Sequence, residues 1–318
     1  MKRRSIKIFI ATLLLASATG CRGAATYPAQ VSTPVIEAAT QALESDKAKS
    51  DATPPIEPLP DKPPISFQSF PVQGARSIAE FKNRFDGEQR SLILKINRID
   101  LKHLRKGDTL VIPDETGDPM ALSPFPLELE SARSMPKLLL VSRRVQAFGA
   151  YEAGKLVRWG PTSTGKKSTP TPARLYHTNW KAKLTRSTVD ASWILPWCFN
   201  LDNFDGISFH QYDLPGYPAS HGCVRLLEED AEWIYTWADQ WMLSASKRSI
   251  TAYGTPVIIF GDYHYGAKPP WKRLADDPVA ATVTQSEIEE HTKRHLPLIE
   301  SRARERESLL AVLAQSSF

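Results

Sequence analysis

The sequence predicts a mainly β protein, a β-sandwich or barrel interrupted by one helix, with a small α+β unit before it and a helical extension after it. Three observations carry this. Short β-prone runs separated by turn residues crowd residues 137 to 263; two helical periodicities and a turn-strand pair occupy 67 to 114; a charged, periodic stretch fills 283 to 315. At 318 residues the chain is long enough for one large domain or two smaller ones.

The N-terminus stands apart from these units. MKRRSIK supplies positive charge, IFIATLLLA is an apolar run too short to span a bilayer comfortably, and SATGC closes with small residues before Cys21. This is the arrangement of an export signal over residues 1 to 20. ATGC also resembles a bacterial lipobox, which implies lipidation of Cys21; the alternative is a plain secreted protein in which Cys21 is incidental. Arg22 after the cysteine resembles the outer-membrane sorting preference of Gram-negative lipoproteins, so the expected location is periplasmic, with a lipid anchor in the outer membrane.

Removing the signal changes the charge. Residues 1 to 20 hold Lys2, Arg3, Arg4 and Lys7 and no acid, so the formal +5 becomes +5 − 4 = +1. No concentrated basic patch survives to neutralise phosphates, and a nucleic-acid partner is not expected. Residues 21 to 66 are rich in Ala, Thr, Ser and Pro, and PPIEPLPDKPP is stiffened by its prolines. Such a segment buries too little apolar area to offset ordering and reads as a tether.

In the unit at 67 to 114, SIAEFKNRF spaces Ile78, Phe81 and Phe85 as a helix does. RSLILKINRI continues as a second helix with Leu92, Ile93 and Ile96 inward. RKGDTLVIP then gives a turn at Gly107-Asp108 and a strand stopped by Pro113. Helix, helix, turn and strand ending in GDTLVIP resembles the second half of a LysM module, a small peptidoglycan-binding fold; SFPVQGAR would supply its first strand. A non-binding structural cap is the other reading.

In the β-rich region the runs are Leu138 to Val141, Val145 to Phe148 and Leu156 to Trp159, with Glu152-Ala153-Gly154 as a hairpin turn. Further runs lie at Ala173 to Asn179, Trp193 to Phe199 and 255 to 263. EEDAEWIYTWADQWM places Ala231, Ile234, Ala238 and Trp241 on one side of a helix, with acids at its start where the helix dipole favours them. Beyond it, the apolar positions Ile288, Leu296, Ile299, Leu309, Leu310 and Leu313 predict helices over 283 to 315 that Pro297 kinks or splits.

The candidate chemistry lies in GISFHQYDLPGYPASHGCVR. A cysteine is a nucleophile only as thiolate, which needs a nearby proton acceptor, and histidine titrates in the useful range. Two histidines are available, His210 and His221. In an extended SHGC, His221 and Cys223 would face one way, and a turn at Gly222 would separate them. The loop QYDLPGYPAS, with Gly216 and two prolines, brings the chain back so that His210 can reach Cys223. The N–H groups of Gly222 and Cys223 are candidate oxyanion donors. Cys198 and Cys223 could instead form a disulfide in an exported protein. A zinc site of His210, His221 and Cys223 is possible in residue type, but nothing in the spacing demands one, and no metal or other cofactor is expected.

GISFHQYDLPGYPASHGCVRLLEED resembles the signature of YkuD-type L,D-transpeptidases: a histidine, a loop of about a dozen residues, then SHGCxR. GPTSTGKKSTPTPA resembles that family's upstream segment, and the resemblance spans about 137 to 263. It implies Cys223 as nucleophile and His210 as general base, oriented by the carbonyl of the following residue. Gln211 there departs from the usual Gly or Ser. Ser220, His221, Gly222 and Arg225 match the rest, with His221 and Arg225 shaping the site, holding a substrate carboxylate or locking the loop. Trp197, Tyr212 and Tyr217 are candidates for a donor groove, or for core packing. The implied reaction is acyl transfer on peptidoglycan stem peptides through a cysteine thioester, with release of D-Ala and transfer to an amine of a stem peptide or a lipoprotein. Hydrolysis of bonds to diaminopimelate, and a non-catalytic wall-binding lipoprotein, are the competing readings.

Overall fold

The computed structural model describes residues 65–316; the export signal, Cys21 and almost all of the expected tether lie outside the described residues. The chain opens with β1 (Phe67–Pro71), α1 (Ala75–Arg84), α2 (Gly87–Ile96) and β2 (Thr109–Pro113). β1 and β2 pair antiparallel, Phe67 opposite Pro113. SFPVQGAR thus does begin in a strand. α2 starts at a capping box in which Asp86 and Gln89 satisfy each other's backbone N–H groups. Phe70, Phe81, Ile93, Leu110 and Ile112 form this unit's own core.

The main body follows: β3 (Leu138–Ser142), β4 (Ala147–Glu152), β5 (Lys155–Pro161), β6 (Leu175–His177), β7 (Lys181–Arg186), β8 (Ile194–Asp202), β9 (Ile207–Gln211), β10 (Val224–Leu226), α3 (Glu228–Trp237), β11 (Met242–Leu243), β12 (Ile250–Ala252) and β13 (Pro256–Phe260). A five-stranded sheet has the order β5-β4-β3-β13-β6 and a four-stranded sheet the order β10-β9-β8-β7. The arrangement is a sandwich. β13 with β3 and β10 with β9 are parallel pairs within otherwise antiparallel sheets.

β3 is an unbroken apolar run because both of its faces are covered. Leu139 and Val141 meet Phe199, Leu201, Ile207 and Phe209 of the other sheet, together with Ala231 and Ile234 of α3. Leu138 and Leu140 face the opposite way, into a cluster that includes Leu92, Ile96 and Val111 of the N-terminal unit and Trp271, Ile288 and Ile299 from after β13. Each such fully buried Leu, Ile or Phe contributes about 1.5–3 kcal/mol. The β4–β5 hairpin turns at Ala153 (φ 43°) and Gly154 (φ 78°), the paired left-handed conformation that suits two-residue loops.

The N-terminal unit is part of the same packed body. Alternate residues of β2 serve two cores, Leu110 and Ile112 inside the unit and Val111 against the sandwich. Arg98 is buried between the rings of Trp159 and Trp271, donating to the carbonyls of Val145, Lys95 and Ile96, and burial lowers its pKa to about 9.

One expectation changes and another is narrowed. α3 ends at Trp237, earlier than the periodicity through Trp241 suggests: Ala238 is extended, and the Asp239 N–H is taken by Thr255 Oγ1. Of the two outcomes expected at Pro297, the stretch is split rather than kinked: Pro297 sits in the first turn of α5 (Leu296–Gln315), after α4 (Gln285–Thr292) and a short 3₁₀ turn, where its missing N–H costs nothing. Among the described residues no helix is long and apolar enough to cross a membrane.

Candidate active site

The site is built by strand alternation. In β8 and β9, Phe199, Leu201, Ile207 and Phe209 point into the sandwich, so Cys198, Asn200, Ser208 and His210 emerge on the opposite face. Antiparallel register sets Asn200 opposite Ser208, and parallel pairing with β10 sets Arg225 beside His210. These side chains line a cleft closed on its far side by Arg186, Val189 and Trp193 of the β7–β8 hairpin, with Cys223, His221, Tyr212 and Arg225 on the near side.

The loop carrying the cysteine is clamped to the segment TSTGKKSTPT. Ser163 and Arg225 exchange backbone hydrogen bonds (3.1 Å each), Ser220 N–H donates to Thr164 O (3.0 Å), and Lys166 N–H donates to Ser220 O (3.0 Å). Thr171 Oγ1 donates to Gly222 O (2.7 Å). Gly165 allows the close approach: a Cβ there would stand 2.1 Å from Thr169 O. Gly222 has φ 116°, a conformation L side chains rarely adopt, which turns the chain between His221 and Cys223. Ser220 Oγ accepts from the Gly222 N–H (3.1 Å) and donates to Cys223 O (2.5 Å), so Ser220 is a staple of the loop.

The thiol of Cys223 donates to the Gly206 carbonyl (3.3 Å) and lies 3.4 Å from Ser208 Oγ. Burial pushes its pKa up, against the opposing pull of the Ser208 hydroxyl and N–H and of Arg225. His210 is buried, and its Nδ1 donates to the Gln211 carbonyl (3.0 Å), leaving Nε2 with the lone pair in the neutral ring. Burial lowers the imidazole to about 4; the Gln211 carbonyl pulls the other way and Arg225 adds to the depression. Near neutral pH both groups are therefore uncharged. A standing thiolate-imidazolium pair is not favoured, and the hydrogen-bond partners of the sulfur are Gly206 and Ser208 rather than His210.

The other expected residues divide. Arg225 is half-buried with its guanidinium 4.5 Å from the Tyr212 ring, and among the described residues it forms no ion pair, which leaves a cation facing the cleft. Tyr212 lines the cleft edge-on to His210. His221 is exposed, its Nε2 2.7 Å from Lys166 Nζ and its ring 4.9 Å from that of Trp193, so it is at the cleft's mouth rather than against the sulfur. Gly222 does not supply a free oxyanion donor, since its N–H is committed to Ser220. Trp197 is not a groove residue: with φ 52°, it stands edge-on to Tyr235 against the inter-sheet core. Tyr217 does not line the cleft; its ring is exposed, its carbonyl accepts from the Ser163 hydroxyl (2.8 Å), and its phenol is close enough to bear on the Arg225 charge.

Cys198 is free and buried on the same face, with burial pushing its pKa up to about 12. Residues missed from sequence are Ser208 and Gly206, which touch the sulfur, and Trp193 and Lys166, which hold His221. The alternation in ISFHQ was signal enough to place Ser208 on the face of His210.

The clamp, the cysteine loop and both sheets fall within one segment that has a known counterpart. Residues 136–259 match the family model YkuD, the L,D-transpeptidase catalytic domain. No curated protein matches the chain. Among solved structures, an L,D-transpeptidase from Stackebrandtia nassauensis is 24% identical over 40% of this chain and 57% of its own, with a TM-score of 0.32. One from Mycobacterium smegmatis is 20% identical over 40% of this chain and 59% of its own, TM-score 0.32. The catalytic domain from E. faecium L,D-transpeptidase is 22% identical over 39% of this chain and 96% of its own, TM-score 0.29. The chain thus spans less than two thirds of the first two. The YkuD-matching segment leaves the N-terminal unit, α4 and α5 unmatched.

Proposed function

We propose that the chain is an L,D-transpeptidase acting on peptidoglycan stem peptides through Cys223. The observation that carries this is the cleft within the matched segment, where a clamped cysteine and a tautomer-fixed histidine face one space. In the first half, His210 Nε2 takes the Cys223 proton, and the sulfur attacks the carbonyl carbon of diaminopimelate in a donor tetrapeptide. The C–N bond breaks, the leaving nitrogen receives that proton, and D-Ala departs, leaving a thioester. In the second half an amine attacks the thioester and passes its proton to His210. The C–S bond then breaks and the sulfur is reprotonated. The Cys223 N–H takes the oxyanion role, and Arg225 holds a substrate carboxylate.

The acceptor is an amine of another stem peptide or of a lipoprotein. A lipid on Cys21 would hold the chain at the outer membrane from the periplasmic side, the tether would give reach, and the β1-α1-α2-β2 unit, LysM-like in its order of elements, would bind glycan. The test is to incubate the detergent-solubilised chain and its Cys223→Ala variant with disaccharide tetrapeptides and read products by mass spectrometry. Dimers with loss of D-Ala in the parent alone are expected. Tripeptides alone would make it a hydrolase, and no change in either sample would favour the wall-binding reading.

A further inference from the structure

The N-terminal unit touches the reaction site through a specific set of polar contacts. Directly after α2, Ile99 forms a β-bridge with Pro215, and Asp100 and Leu214 are joined twice: the Asp100 N–H donates to Leu214 O (2.9 Å), and the Leu214 N–H donates to Asp100 Oδ2 (2.9 Å). His103 fixes the other carboxylate oxygen, its Nδ1 2.6 Å from Asp100 Oδ1. Lys102 bonds Asp213, and His103 Nε2 lies 3.8 Å from the same carboxylate. Apart from the His103–Asp100 contact, which braces the carboxylate, these contacts land on 213 to 215, between His210 and Cys223 in sequence. The same short stretch holds the substrate-facing cation: the Asp213 carbonyl accepts from Arg225 (3.5 Å), and the neighbouring Tyr212 ring carries its guanidinium.

The contrast with the cysteine is informative. Cys223 and Ser220 are fastened to residues 163 to 171 of the sandwich itself. Of the facing wall, Asp213 and Leu214 are fastened to a unit that lies outside the matched segment, while the Tyr212 N–H stays on Leu226 O of β10 (3.1 Å).

We propose that Asp100, assisted by Lys102, is a positioning residue for Arg225, so that the N-terminal unit sets the anion-recognising wall of the cleft while leaving the nucleophile to the sandwich. The inference rests on the reading of Cys223 as the reactive thiol of this cleft, and its test uses no peptidoglycan. Cys223 is alkylated in the full chain with iodoacetate, an anion, and with iodoacetamide, its neutral analogue, and the ratio of the two rates is measured, with Cys198→Ala as background. A correctly placed Arg225 favours the anion. Asp100→Ala is expected to lower the ratio about fivefold while the iodoacetamide rate stays near that of the parent. Arg225→Gln should lower it as far, and the double variant no further than Arg225→Gln alone, as required of two residues acting through one contact. Lys102→Ala, at an exposed position that the fold does not need, should lower it less but in the same sense.

An unchanged ratio in both Asp100→Ala and Lys102→Ala would overturn the proposal. So would an equal fall in both rates, which would mean general loosening rather than loss of a placed charge. A parent that alkylates well but makes no peptide product would count against the transpeptidase reading and leave this ratio intact as a test.

Discussion

The two faces of β8 and β9 are made by alternate residues of the same strands, yet they do opposite work. Phe199, Leu201, Ile207 and Phe209 close the space between the sheets, while Cys198, Asn200, Ser208 and His210 present a cleft. The inner face gains from burial, which is non-directional and tolerant of shape. The outer face depends on single hydrogen bonds to the sulfur and the imidazole. Substitutions on the two faces should therefore separate stability from chemistry.

The largest expected effect is on the outer face. Cys223→Ala should lower turnover of tetrapeptide at least about 10³-fold with an unchanged melting temperature, measured by product mass spectrometry and thermal unfolding. His210→Ala should follow with a loss of about 10²–10⁴-fold in kcat, the range for a general base. On the inner face, Phe209→Ala should remove about 3–5 kcal/mol of stability by opening a cavity between the sheets, seen as a lower denaturant midpoint; among molecules still folded, the alkylation rate of Cys223 should be little changed. A mutant that loses both together would break the separation.

The pH dependence sharpens it. Because burial lowers His210 to about 4, its imidazole stays unprotonated well below the ordinary range; with His210 as the proposed base, the acid limb of kcat/KM should fall near pH 4 and not near 6.5. The same depression makes the unfolded chain the better proton binder between those values, so this histidine's contribution to stability is full above about 6.5 and is lost as pH falls toward 4. Alkylation of Cys223 by iodoacetamide should rise with pH without an acid-side plateau, since its thiol is pushed up rather than down. The smallest effect belongs to Cys198→Ala, which should cost about 1 kcal/mol and leave turnover within about twofold.

Much of this was legible in the chain. The spacing of His210 and SHGC located the cleft, continuous apolar runs located the doubly covered strands, and Ala153-Gly154 located a hairpin. What stayed hidden has physical causes. KAKLTR forms β7 at the edge of a sheet, where Lys and Arg keep an exposed strand from pairing further, so it lacks the apolar pattern of the others. Sequence left Trp197 and Tyr217 open between groove and core; the positive φ at Trp197 puts it on the core, and Tyr217 sits in an exposed turn that neither reading describes. Gly222 lost its oxyanion role to a local hydrogen bond with Ser220, which residue type alone does not reveal. The contact of Asp100 with Leu214 joins residues 114 apart in sequence, and no local pattern could announce it.

The most direct measurement is of the covalent intermediate. The chain is mixed with disaccharide tetrapeptide, quenched in acid within the first turnovers, and analysed by intact mass and peptide mapping. The expected result is an adduct equal to the donor minus D-Ala, located on Cys223, absent from Cys223→Ala and released by neutral hydroxylamine. An adduct on Cys198 or any other residue, or dimer formation by Cys223→Ala, would contradict it.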